Sequence, residues 1–258
     1  MRIRFVRIAS GTVLVALLGL SACNQGYEVT KVEGTRILVD SVWDAHPDTA
    51  MAAMVREYKH KVDSAMGRVI GTAAMSMDKE RPEDLLSNLV ADVLRQAASA
   101  ELGHPADVGL VNLGGLRNVL TAGPITVEDV YEILPFENSL CVLTLKGEHL
   151  LELCRNIAVR GGEGVSGLEL KISSKGELLD AKVGGKPVED GRLYTVGTID
   201  YLSEGNDGMT ALKEAVKCDC PPGATLRNLF LDYVERQTAE GKPVTSKKEG
   251  RIVMVSAE

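Results

Sequence analysis

Three runs of this sequence combine residue types that can hold a small polar ligand. Asn112-Leu113-Gly114-Gly115-Leu116-Arg117 follows the apolar stretch from Val108 to Val111. Adjacent glycines let a backbone approach a ligand closely, because no Cβ intervenes. Arg117 offers a planar fork of donors suited to phosphate or carboxylate, and Asn112 can both donate and accept. Ile133-Leu134-Pro135-Phe136-Glu137-Asn138 breaks an apolar run at Pro135, then presents an aromatic and an amide two residues on. That pair suits a stacking face and an edge-reading group for a nucleobase. In Asp200-Tyr201-Leu202-Ser203-Glu204-Gly205-Asn206-Asp207-Gly208, Tyr201 is a second aromatic face and Asp207 an acceptor for sugar hydroxyls, on a loop rich in turn formers. Each run also has a plainer reading: a tight turn with a surface arginine, a core phenylalanine beside a turn asparagine, and an Asn-Asp-Gly turn. The last run lacks the alternating acidic ligands of a calcium loop.

Hydrolytic chemistry has thinner support. His46, His60, His104 and His149 are isolated in the sequence, and Asp44-Ala45-His46 has the spelling of a metal-binding D-x-H with no second motif behind it. Two-metal hydrolysis needs clustered carboxylates and imidazoles to activate water and neutralise phosphate. No GxSxG nucleophile motif is present either. Cys141, Cys154, Cys218 and Cys220 are free to pair in an oxidising compartment, and the spacing Cys218-Asp219-Cys220 is too short to identify a metal site.

The N-terminus carries an address. Arg2, Arg4 and Arg7 precede an apolar run from Val13 to Leu20, which ends in Leu20-Ser21-Ala22-Cys23. This is the pattern of a secretory signal, and its end resembles a bacterial lipobox. It predicts cleavage before Cys23 and acylation of that cysteine, with residues 1–22 as signal peptide and 23–28 as tether. The apolar run is short for a membrane span, whereas two or more acyl chains hold a membrane stably. The net charge of −7 becomes −10 once residues 1–22, with three arginines and no acid, are removed. That balance argues against nucleic acid as a partner, since phosphate backbones are held by clustered Lys and Arg.

These candidates must be positioned by a domain over residues 29–258. With 45% hydrophobic and 25% charged residues the composition is that of an ordinary globular protein. Alternation suggests a strand from Val29 to Val39. Asp48 is placed to cap a helix to Met66, with Met51, Met54, Val55, Tyr58, Val62 and Ala65 on one stripe. A strand over 68–77, a loop containing Pro82 and a strongly amphipathic helix from Leu85 follow. Val108 to Val111 is a strand, and Thr126-Val127-Glu128-Asp129 resembles a capping box opening a short helix. A buried-type strand over 140–145 leads to a helix from Gly147 to about Ile157. Strands at 168–172 and 178–196 are joined by turns at Ser174-Lys175-Gly176 and Gly184-Gly185. A helix over about 224–235 has Leu226, Leu229, Phe230 and Tyr233 inward, and 251–255 is a closing strand. Strands and helices without a regular βαβ beat indicate an α/β, or α+β-like, domain with a mixed sheet and flanking helices.

The order of these pieces resembles a known family. Asn88-Leu89-Val90-Ala91-Asp92, NLGGLR at 112–117, ITVEDVYEILPFEN at 125–138, the turn from Val142 to Gly147, Ser166-Gly167-Leu168, YLSEGNDG at 201–208 and Glu249-Gly250-Arg251-Ile252 together resemble the C-terminal domain of the 5'-nucleotidases over nearly all of residues 68–255. Residues 29–66 look like the strand and helix that lead into it. The resemblance implies a single domain of that fold binding a nucleoside or nucleotide. Arg117 matches a substrate-contacting arginine and Asn112 the asparagine that opens its motif, with Gly114 and Gly115 between. Phe136 and Tyr201 match the base clamp, whose second member is usually Phe. Asn138 matches a base-contacting asparagine and Asp207 the acid that holds the ribose. Arg81 lies near the place of the family's arginines that precede the GNL segment, without aligning cleanly; Ser87 replaces the glycine there, and Asn206 a second glycine in the loop. The family's catalysis sits in a separate metal-bearing half. The resemblance therefore implies the substrate-binding half of a split 5'-nucleotidase, inactive alone and without a cofactor of its own. Its divalent metals would lie in a separately encoded metallophosphoesterase, and its lipid anchor would place it in the bacterial envelope. A stand-alone envelope binder and a decayed interaction module are the alternatives.

Overall fold

The computed structural model describes residues 29–255; the signal, the tether and Cys23 lie outside the described residues. The chain divides into two units, one ending at Ala53 and the other beginning at Met54. In the first, the alternation over 29–39 does not produce a strand, and Val29, Val32, Ile37 and Val39 are exposed. A strand needs a neighbour to complete its hydrogen-bond ladder, and alternation alone does not supply one. A 3-10 turn spans Ser41–Ala45. Helix α1 (Thr49–Met66) then opens as expected, with the Asp48 carboxylate accepting the Ala50 and Met51 N–H groups at 2.9 and 3.1 Å. Its apolar stripe is not core: no residue of α1 is buried.

The second unit continues with β1 (Val69–Ala73), α2 (Leu85–Leu102), β2 (Val108–Val111), β3 (Gly123–Thr126), α3 (Val127–Ile133), β4 (Leu140–Lys146), α4 (Gly147–Val159), β5 (Gly164–Ser166), β6 (Leu168–Ser173), β7 (Leu178–Val183), β8 (Lys186–Pro187), β9 (Leu193–Ile199), α5 (Asp200–Ser203), β10 (Lys217–Asp219), α6 (Leu226–Ala239) and β11 (Ile252–Val255). The strand region expected over 178–196, with its turn at Gly184-Gly185, is β7, the short β8 and the start of β9. Strands β1 and β3 form a small antiparallel sheet, β10-β4-β9-β2-β5 a mixed central sheet, and β11-β6-β7-β8 a second mixed sheet. Among the described residues no helix is long and apolar enough to cross a membrane.

Local chemistry accounts for the element ends. Asp84 caps α2 by accepting the Leu85 N–H at 2.7 Å, and Gly103 ends that helix at φ 70°. Thr126 and Asp129 form a reciprocal capping box on α3, which satisfies two otherwise unpaired N–H groups. The inner face of α2, with Leu86, Leu89, Val90, Val93 and Leu94, is buried in the core. Arg251 clamps β11 to that helix through a two-pronged contact with Asp92, both bonds at 2.9 Å.

Register decides what gathers at one edge of the central sheet. Strands β2 and β9 are parallel, with Val108 opposite Val196, so both chains leave the sheet at the same end. Strand β4 runs antiparallel to β9 with Leu140 opposite Ile199, and β5 antiparallel to β2 with Val111 opposite Gly164. Residues 112, 138, 163 and 200 therefore converge, although they are far apart in sequence. At the other margin, β10 pairs with β4 and brings Cys220 to Cys141, which form a disulfide. Cys154 is buried, and burial pushes its thiol up to about 12; Cys218 is exposed with its Sγ 3.9 Å from that of Cys220. Among the described residues, the sulfurs of Cys141, Cys218 and Cys220 are the one group of three metal-ligating atoms within 4.8 Å of one another.

Candidate functional site

The edge just described is a cleft of about 280 Å³ lined by Asn112, Gly114, Gly115, Phe136, Asn138, Tyr201 and Asp207. These are seven of the residues singled out from the sequence, drawn from three separate runs. Phe136 and Tyr201 are 50% and 41% exposed. Neither ring is core, which removes the reading of Phe136 as a core phenylalanine, while Asn206-Asp207-Gly208 does form a turn beside Tyr201. Large aromatic surface left in water beside a concavity is the arrangement a planar ligand completes.

Polar groups are held in place behind the rings. The Asn112 amide donates to Asp207 Oδ2 at 2.7 Å, which orients its Oδ1 away from that carboxylate. Asn112 Oδ1 is buried and has no hydrogen-bond partner. An orphaned buried acceptor carries a desolvation cost of about 1–3 kcal/mol, which a ligand donor would relieve. A Cβ at Gly115 would stand 2.9 Å from that atom, so only glycine fits beside it without crowding. Asp207 itself has φ 53°, a left-handed conformation that Asp tolerates better than most residues. The Tyr201 hydroxyl donates to Asp207 Oδ1 at 3.2 Å, and the carboxylate raises the phenol above its ordinary range. Asn206, which stands where a glycine was expected, donates to the Tyr201 carbonyl at 2.9 Å and ties the loop to α5. Asn138 donates to Asp200 Oδ1 at 3.0 Å, so one of its amide protons is already engaged.

The two arginines fall outside the lining. Arg117 is exposed at the rim, donating to the Gly114 carbonyl at 3.2 Å. Arg81 does not face the cleft as a free cation: its Nη2 is 2.8 Å from Glu163 Oε1 and its Nε donates to the Gly162 carbonyl at 3.0 Å. Glu163 also accepts from Arg160 Nε at 2.5 Å and from the Leu113 N–H at 2.6 Å, and Arg160 Nη2 lies 3.4 Å from Asp207 Oδ2. The bond to Glu163 holds Arg160 above its ordinary value against the opposing effect of burial, with the charges of Glu163 and Asp207 adding to it. Glu163, Arg160 and Asp200 were not legible as site residues. The available signal was Arg160-Gly161-Gly162-Glu163, opposite charges around a glycine pair between a helix and a strand. Gly162 is required there: its φ is 113° and a Cβ would meet the Pro82 carbonyl oxygen at 2.4 Å.

A larger cavity of about 670 Å³ lies elsewhere, beside Asp92, Glu249 and Arg251. Those charges pair with one another, and no aromatic ring lines it. The smaller cleft has the exposed rings and the orphaned acceptor, and is the better ligand site.

Comparison with known proteins identifies the family and the fold. The family model described as 5'-nucleotidase, C-terminal domain, matches residues 65–214. A cell wall protein of Listeria monocytogenes is 29% identical over 81% of this chain and 30% of its own length. The protein UshA of Yersinia enterocolitica is 26% identical over 78% of this chain and 37% of its own. The crystal structure of a 5'-nucleotidase precursor from Thermus thermophilus superposes with a TM-score of 0.70 at 30% identity, covering 83% of this chain and 45% of that one. The chain thus spans less than half the length of these relatives.

Proposed function

Since the chain belongs to the 5'-nucleotidase C-terminal domain family, we propose that it is the nucleoside- or nucleotide-binding half of a split 5'-nucleotidase, working in nucleotide breakdown. Phe136 and Tyr201 clamp the base, Asn138 reads its edge, and Asn112 and Asp207 accept from the ribose hydroxyls. Arg117 reaches the phosphate from the rim. The observation that carries this reading is the cleft itself, with two exposed rings and a buried unpartnered acceptor in one concavity.

Catalysis is assigned to a separately encoded metallophosphoesterase, whose divalent metals activate water and polarise the phosphoryl group. This half supplies binding and orientation. Acylation at Cys23 would anchor it to a membrane of the envelope, and the cell wall name of the Listeria relative supports an extracytoplasmic location. Isothermal calorimetry with adenosine, AMP and ATP, with and without the candidate partner, tests the reading, alongside AMP turnover. The chain alone is expected to bind but not hydrolyse, and the partner to supply turnover. Metal-dependent hydrolysis by the chain alone, absent from a mock preparation of the same host, refutes the division of labour. Binding with no effect of any metallophosphoesterase favours a stand-alone nucleoside receptor, the second reading, which the same cleft supports.

A further inference from the structure

The cations nearest the cleft interior are already occupied by the protein's own carboxylates. Arg81 and Arg160 share Glu163 Oε1 at 2.8 and 2.5 Å, and the other oxygen accepts the Leu113 N–H. The Glu163 side chain is 0% exposed. Arg160 also reaches Asp207, at 3.4 Å. Arg81 and Arg160 thus balance Glu163 and Asp207 charge for charge.

We propose that Glu163 is a built-in anion that takes up the arginine pair, making this cleft selective for uncharged nucleosides over nucleoside phosphates. The inference rests on the nucleoside-binding reading above and specifies its substrate class. Turning Arg81 or Arg160 toward a phosphate would strip the buried Glu163 of one of its two arginine partners, a loss that is costly in a low-dielectric interior. The acceptors of the cleft point the same way. Asn112 Oδ1 has no partner, and the Asp207 carboxylate, which already accepts from Asn112 and the Tyr201 hydroxyl, keeps lone pairs for a further donor. Ribose hydroxyls can donate to them, whereas the oxygens of a phosphate dianion cannot and would be repelled by Asp207. Arg117 stays available, but it is exposed, and exposed ion pairs change affinity by about fivefold at most. In a split enzyme, the phosphoryl group then belongs to the metal-bearing half, and this half grips the nucleoside portion.

The test is calorimetry of the purified chain with adenosine, guanosine and uridine and with their 5'-monophosphates, on wild type and Glu163→Gln. The glutamine keeps the side-chain shape and an acceptor for the Leu113 N–H while removing the charge. Wild type is expected to bind its best nucleoside at least as tightly as the matching monophosphate. In Glu163→Gln the preference should move at least tenfold toward the monophosphate. A wild-type preference of tenfold or more for the monophosphate overturns the proposal, as does an unchanged ratio in the variant; either leaves the nucleoside-binding reading standing. Failure of wild type and variant to bind any of these ligands sinks that reading and the proposal with it. If the variant does not fold, the wild-type ratio still decides. Thermal melting of wild type in inorganic phosphate against sodium chloride at equal ionic strength gives a second measure, with no stabilisation expected and a clear rise counting against the built-in anion.

Discussion

Replacing the two exposed rings separates a ligand clamp from a piece of core. Phe136 is 50% and Tyr201 41% exposed, while Phe230 on α6 is 0% exposed. Truncating a fully buried phenylalanine costs about 3–5 kcal/mol through the lost transfer energy and the cavity left behind. For a chain of this size that lowers the melting temperature by roughly 6–20 °C. Phe136→Ala and Tyr201→Ala remove surface that is already half in water, so each should cost less than about 1.5 kcal/mol of stability. Their effect on a stacked base is of another order: about 1–3 kcal/mol per ring, or roughly five- to 150-fold in affinity. Tyr201→Phe keeps the stack and loses only the exposed hydroxyl bond to Asp207, and should bind within a few-fold of wild type. Calorimetry and thermal melting on the same preparations read both quantities, with Phe230→Ala as the core reference. If the two clamp variants melt as early as Phe230→Ala and the folded fraction binds a nucleoside normally, the rings are structural and the clamp is wrong.

The remaining expectations concern thiols, a phenol and the anchor. The Cys141–Cys220 bridge closes a loop with a sequence separation of 79, so chain entropy sets an upper limit of about 4.5 kcal/mol on what Cys220→Ser costs; denaturant titration should show a large loss, and an unchanged midpoint would argue that the bridge does not form. In protein beginning at Asn24, a native-state alkylating agent should label Cys218 and spare buried Cys154, with mass mapping of Cys154 in the folded protein as the contrary result. The Tyr201 phenol, raised above its usual value by the Asp207 carboxylate, favours the folded state below pH ~10 and loses that contribution as pH rises through the raised value. Ultraviolet titration of wild type minus Tyr201→Phe should show the late-titrating phenol, and Asp207→Asn should bring it earlier; the same titration in both backgrounds would discount the pairing. Cys23→Ala should leave the protein unprocessed or released rather than acylated, and normal processing with unchanged detergent partition would count against the lipobox.

Much of the fold is local physics and was legible from residue order. Thr126 and Asp129 are spaced for a capping box and form one, Asp48 and the apolar spacing after Leu85 announce helices, and the Val108–Val111 run is a fully buried strand. These features depend on neighbours within a turn or two, which the chain itself supplies. The nature of the cleft-lining groups was legible for a similar reason, since glycine pairs, an aromatic after a proline and an Asn-Asp-Gly loop carry their geometry with them. Tertiary structure decided what those groups meet. The α1 stripe has the right period and yet no buried residue, and the alternating segment over 29–39 forms no strand, because periodicity specifies a face but not its partner. Arg81, which lies near the place of the family's arginines without aligning cleanly, pairs with Glu163 at a separation of 82 residues. Cys141 finds Cys220 only through the pairing of β4 with β10. Strand order and register are properties of the assembled sheet, so the charge balance of the cleft exists only once β2, β4, β5 and β9 share one edge.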